Sequence, residues 1–243
     1  MLHLFSPEIF FNDLVSVDFA AAAVMTLWVS LAALLVGLAG GLVLAVLQET
    51  QFRPLRGAVR FYLWLFRGTP VLLQIIFAFN VLPSFGLLLP GPACAVLALG
   101  MNEAAYMAEI MRSGIGAVGE GQRDAARALG LAGRQVMRWV VLPQAVRIIL
   151  PPIGNQFIGM LKLSALVSVI GVHELLLVAD QSASGNFRYL ETLSAAAVYY
   201  LAFTTLFMAV QHWLERHLSP DRSRVPPRRA ALAIQASAPG MSR

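Results

Sequence analysis

The sequence has little of what a protein needs to stay in water. Of its 243 residues only 13% are charged while 58% are hydrophobic, and the mean hydropathy is +0.70. A soluble domain carries about 25% charged residues, so the composition reads as that of a membrane protein. Cysteine occurs once, at Cys94, which excludes an intrachain disulfide and a metal cluster of the Cys-x-x-Cys type. Lysine also occurs once, at Lys162, without the glycines that would make a G-x-x-x-x-G-K-[ST] loop. The chain is therefore not expected to hydrolyse nucleotide through a P-loop of its own. No Lys or Arg precedes Arg53, and Glu8, Asp13 and Asp18 stand there instead, so the basic start of a secretory signal is not expected.

What is abundant is apolar length. A helix rises about 1.5 Å per residue and needs about 20 apolar residues to cross a bilayer. The uncharged run from Phe19 to Gln48 predicts a first span near 21–47. A second is expected near 58–81, broken at Arg67-Gly68-Thr69-Pro70, and a third from about Leu87 into Ile110. A fourth covers some part of 148–179, kinked at Pro151-Pro152, and a fifth lies within 192–214.

The net charge of +5, from 18 basic and 13 acidic residues, reads as topology bias rather than a nucleic-acid face. Arg53, Arg56 and Arg60 follow the first span, and Arg112, Arg123, Arg127, Arg134, Arg138 and Arg147 follow the third. Basic loops stay in the cytoplasm. The N-terminus is acidic, the stretch 82–92 is uncharged, and 180–191 has Arg188 alone, so these are expected outside. Arg216, Arg222, Arg224, Arg228 and Arg229 place the C-terminus inside. The expected fold is an all-α membrane protein of about five spans, N-terminus outside and C-terminus inside, over 1–219. The tail 220–243, Pro- and Ala-rich, is expected to be cytoplasmic and disordered.

The loop after the third span holds Gly121-Gln122-Arg123-Asp124-Ala125-Ala126-Arg127-Ala128-Leu129-Gly130, then nine residues, then Val140-Val141-Leu142-Pro143. Good helix formers up to Ala128 and glycine at 130 predict a short helix stopped by a left-handed residue. A second short helix, roughly 133–141, is expected to end before Pro143. Such a pair makes either a rigid knob below the membrane or an amphipathic helix lying in the headgroups with its arginines on anionic lipid.

This spacing resembles the EAA loop of ABC importer permeases: Glu-Ala-Ala, three residues, Gly, nine residues, a branched aliphatic, any residue, Leu, Pro. Asp124 stands where the pattern has Glu; the other fixed positions match. Arg67-Gly68-Thr69-Pro70 with Gln74, Ala105-Tyr106-Met107-Ala108-Glu109-Ile110, Leu142-Pro143-Gln144-Ala145, Lys162-Leu163-Ser164-Ala165-Leu166-Val167-Ser168 and Ile170-Gly171-Val172 narrow the resemblance to the polar amino acid uptake branch. The resemblance implies the type I ABC importer permease fold. It also implies a transport subunit rather than an enzyme, in the bacterial cytoplasmic (inner) membrane. It implies partners as well: two ABC ATPase subunits that carry ATP and Mg, a second permease subunit, and a periplasmic or tethered substrate-binding protein, with no cofactor on this chain. Gly121, Gln122, Arg123, Asp124, Ala125, Ala126, Arg127, Leu129 and Gly130 would form the helix that docks on the ATPase, with Arg123 and Arg127 free to pair with acids across the joint.

Ionisable groups inside a span cost roughly 2.5–3.5 kcal/mol and face a cavity or a partner. At about 100° per residue, Asn102, Tyr106, Glu109 and Ser113 share a strip about 60° wide, with Glu103 beside it. The path candidates are Arg67, Gln74, Asn102, Glu103, Tyr106, Glu109 and Lys162. Glu109 either lines a path or pairs with Arg112. Glu103 is the candidate for a substrate ammonium. Arg67 answers either a substrate carboxylate or a structural one such as Glu103, and Lys162 has the same ambiguity. His212 and His217 have no third ligand spaced to make a metal site, and Gly37, Gly40 and Gly41 are read as close-packing positions. The competing function is a secondary transporter or channel that works without an ATPase, but no second copy of the 101–143 pattern, as paired halves would give, is found.

Overall fold

A computed structural model describes residues 5–218 of the chain, and the 220–243 tail lies outside the described residues. Among those residues every regular element is helical: α1 (Pro7–Val15), α2 (Val17–Gln48), α3 (Arg53–Gly68), α4 (Val71–Asn80), α5 (Gly91–Gly116), α6 (Glu120–Ala128), α7 (Gly133–Gln135), α8 (Leu142–Leu163), α9 (Leu175–Asn186) and α10 (Tyr189–Leu218). A π turn over Val136–Val141 joins α7 to α8, and 3-10 turns cover Leu82–Phe85 and Ser164–Ile170. Three helical runs are long and apolar enough to cross a membrane, Val17–Gln48, Gly133–Ile170 and Tyr189–His217, and the bent pair α3–α4 adds a fourth if it counts as one span. α5, which carries Asn102, Glu103, Glu109 and Arg112, is not among them.

α2 and α5 form the central pair, and their packing depends on small residues. A Cβ at Gly37 would lie 2.6 Å from Cγ of Glu103, and one at Gly100 would lie 2.6 Å from Val36. The close-packing role expected of the α2 glycines is therefore observed. Because Gly37 meets Glu103 and Gly41 meets Met107, the two helices run parallel. α4 runs antiparallel to α5, since Ala78 meets Cys94 while Gln74 meets Asn102. α8 is antiparallel to α10, with Phe157 on Phe207 and Pro151 on Gln211.

Three expectations need correction. The helical run expected within 148–179 begins earlier, at Gly133, and ends at Ile170. The left-handed Gly171, at φ 75°, ends it, and Glu174 then caps α9 by accepting the amides of Leu176 and Leu177 at 2.8 and 2.7 Å. The short helix at 133–141 does not stop before Pro143. The π turn carries the chain into α8, and Pro143, which has no N–H to donate, sits where the hydrogen-bond pattern changes from π to α. Third, α1 was not anticipated. Its Asp13 accepts from the Thr192 hydroxyl at 2.8 Å and its Leu14 carbonyl from the Tyr199 hydroxyl at 2.8 Å, which fasten it to the start of α10.

Candidate functional site

The Arg67-Gly68-Thr69-Pro70 break bends the chain by 104° between α3 and α4. Proline donates no hydrogen bond and a helix end leaves its last carbonyls unpaired. Inside a membrane those carbonyls need side-chain donors. The Thr69 hydroxyl donates to Leu65 O at 2.8 Å. Gln74 Nε2 donates to Phe66 O at 3.0 Å and Thr69 O at 3.2 Å. Asn102 Nδ2, from α5, donates to Phe66 O at 2.8 Å and Gln74 Oε1 at 3.1 Å. Gln74 and Asn102 are thus brought together, but as a clasp on the broken span.

A second group forms around an open cleft of about 470 Å³ between α3, α5 and α8. Arg67, Tyr106, Glu109 and Ser113 line it, and α8 adds Ile148 and Pro152. Arg67 Nη1 lies 3.4 Å from Glu109 Oε2, and its guanidinium carbon lies 5.7 Å from the centre of the Tyr106 ring. Glu109 Oε1 also holds Arg112 Nε at 3.2 Å. The pair is not sealed: the side chain of Arg67 is 42% exposed and that of Glu109 27%. Glu109 borders the cleft and pairs with Arg112 at the same time. Ile148 and Pro152 carried no polar signal that would single them out.

Arg67 therefore pairs with Glu109 and not with Glu103. Glu103 sits about 120° round α5 from Glu109, 3% exposed, pressed against Gly37 of α2. The Gln156 side chain of α8 lies beside it, and its Oε1 makes no hydrogen bond. Lys162 stands exposed in the last turn of α8, and among the described residues no acid pairs with it.

The loop between α5 and α8 builds a third feature. α6 packs on the foot of α8 through a small core of Val118, Ala126, Val136, Val141 and Ala145. Gly130 ends it at φ 83°, donating to Arg127 O at 2.9 Å while the Leu131 amide donates to Ala126 O at 3.2 Å. This is the paired closure that a left-handed residue after a helix makes possible, so the expected stop at Gly130 is observed. The outer face carries Gly121, Gln122, Asp124, Ala125 and Ala128, all exposed, and Leu129 stands 83% exposed beside them. The two arginines have partners within the chain itself. Arg123 turns inward and donates to Ile115 O at 2.7 Å, an orphan carbonyl at the end of α5. Arg127 pairs with Asp124 of its own helix at 3.2 Å.

Comparison with known proteins agrees with this arrangement. The profile of the family described as binding-protein-dependent transport system inner membrane component matches residues 37–220. The arginine transport system permease protein ArgU of Corynebacterium glutamicum is 39% identical over 229 residues, covering 88% of this chain and 72% of that protein. The glutamine transport system permease protein GlnP of Escherichia coli is 39% identical over 203 residues, covering 81% and 90%. The crystal structure of an amino acid ABC transporter with histidines superposes with a TM-score of 0.79 at 40% identity, covering 82% of this chain and 94% of that one. An inward-facing structure of the MetNI methionine ABC transporter, at 19% identity and a TM-score of 0.67, shares the fold. The chain belongs to the binding-protein-dependent transport system inner membrane components: it is an ABC permease of the amino acid uptake type, a multi-pass transport subunit whose ATP is hydrolysed by separate ATPase subunits.

Proposed function

We propose that two such permease subunits, alike or homologous, form the path for a polar amino acid or a close derivative such as an opine across a bacterial inner membrane. A periplasmic or tethered binding protein delivers the substrate, and ATP and Mg act on two ATPase subunits docked below. Relatives named for arginine and glutamine transport support the substrate class. Five spans are supported by helix direction, and the N-terminus outside by the arginines of the 112–147 loop. α2 and α5 are parallel, so the chain between them crosses back, which makes the α3–α4 pair one bent span. The 26 residues of α5 rise about 39 Å, enough for a crossing despite its charges. The exposed small face of α6 suits docking on an ATPase surface, where small side chains allow close approach.

One observation carries the path: Arg67 and Glu109, of opposite charge and both partly exposed, border a single cleft. A zwitterionic amino acid presents a carboxylate to the arginine and an ammonium to the glutamate, and in a low-dielectric cleft these attractions exceed their strength in water. Glu109→Gln keeps the shape and removes the charge. In proteoliposomes with the ATPase, the expected result is uptake of neutral and cationic amino acids alike falling about tenfold, as for loss of one charged hydrogen bond, with basal ATP hydrolysis retained. An unchanged rate would remove Glu109 from the path.

A further inference from the structure

A second cleft, of about 250 Å³, opens between α2, α8 and α10. Its depth is apolar, walled by Leu31 and Leu34 of α2, Ile153 of α8 and the edge-to-face pair Phe157–Phe207, with ring centroids 4.4 Å apart. Its mouth is charged. Arg147 lies ten residues before Phe157, and Glu215 eight residues after Phe207, on helices that run antiparallel. Both charges therefore stand about 12–15 Å along the helices from the phenylalanines, on the side of the molecule that carries α6.

The two charges border one cleft without meeting, since no contact within 4.0 Å joins Arg147 to any described carboxylate. Glu215 is held elsewhere. Gln211 Nε2 donates to it at 2.9 Å and also reaches Pro151 O at 3.3 Å and Asn155 Oδ1 at 3.2 Å. That reach needs Gly154, where a Cβ would come within 2.8 Å of Gln211 Cδ. The mouth thus keeps one fixed acid and one open base at the end of an apolar slot.

From this we infer that the cleft is a site for a phospholipid with a primary-amine headgroup, phosphatidylethanolamine. The slot takes part of an acyl chain, whose apolar surface matches its lining, and selectivity comes from the headgroup. Arg147 accepts the phosphate through its fork of donors. Glu215 takes the ammonium, which has three hydrogens to donate, as a lysine does. A quaternary amine offers Glu215 no donor, and an anionic headgroup meets its carboxylate with like charge. The inference needs only that these helices cross a bilayer, and it is independent of the transported substrate.

Native mass spectrometry of the purified permease–ATPase complex, titrated with phosphatidylethanolamine, phosphatidylcholine and phosphatidylglycerol of identical acyl chains, reads it directly. The expected result is about tenfold stronger retention of the ethanolamine lipid, the value of one charge-assisted hydrogen bond. Glu215→Gln, which can still accept from Gln211, should bring the ethanolamine lipid down to the level of the choline lipid. Arg147→Gln should weaken both. Equal retention of the three lipids by the unmodified complex overturns the site, as does selectivity that survives Glu215→Gln. No adduct sensitive to Arg147→Gln overturns it too, the outcome if a second permease copy covers the cleft. Lipid retention is measured without uptake, so a failure here leaves the transport reading untouched.

Discussion

Glu103 and Glu109 lie six residues apart on one helix, and burial separates what they can do. Glu109 shares its charge with Arg67 and Arg112 at an open cleft. Glu103 is pressed against Gly37 with one oxygen unbonded. A carboxyl so enclosed, with no cation beside it, is better replaced by an amide than stripped of a partner. Glu103→Gln is therefore expected to keep yield and thermal midpoint, a change below about 1 kcal/mol. Arg67→Met should be no milder in the Glu103→Gln background than alone, since additivity holds for residues that share no partner. Thermal unfolding of the two single variants and the double variant checks this, and recovery in the double would restore an Arg67–Glu103 pair. The strip of Tyr106, Glu109 and Ser113 was legible because helical periodicity puts those residues on one face. The partner of Arg67 was not, because a 104° bend outside α5 decides which acid the arginine reaches.

At the scale of the element, the broken span is the informative feature. Its position was legible from Gly68 and Pro70, which interrupt a backbone ladder wherever they fall. That Gln74 and Asn102 supply the missing donors was not, since an amide in an apolar run reads equally as a path-lining group. Both reach the carbonyl of Phe66. Gln74→Leu and Asn102→Leu are each expected to cost about 1–3 kcal/mol, the penalty of a buried acceptor left unpaired. Because each single variant leaves the other amide on Phe66 O and only the double leaves that carbonyl bare, the double variant should cost more than the sum. Chemical denaturation in a mild detergent measures it. Full stability of both variants with uptake lost would make them path residues instead of a clasp. The elements that escaped the sequence altogether, α1 and α9, are 9 and 12 residues long and owe their place to tertiary bonds such as Asp13–Thr192 and the Glu174 cap, which no local pattern announces.

At the scale of the molecule, the Arg67–Glu109 cleft and the α6 knob are built on the same helices. α5 carries Tyr106 and Glu109 and ends in the carbonyl that Arg123 grips. α8 lines the cleft with Ile148 and Pro152 and supplies Ala145 to the core beneath α6, next to Val141 of the preceding π turn. If α6 docks on the ATPase as proposed, a push on it would reach two walls of the cleft. Gly130 fixes the angle of that lever. Its φ of 83° is costly for a branched side chain, while its surroundings are open and would accommodate one sterically. The most direct measurement is ATP-driven uptake together with ATP hydrolysis in proteoliposomes holding the permease and its ATPase, for the unmodified chain and for Gly130→Val. The expected result is substrate accumulation that requires the ATPase, and a Gly130→Val protein that inserts and purifies normally but accumulates nothing. Accumulation without the ATPase, or normal uptake by Gly130→Val, would contradict it.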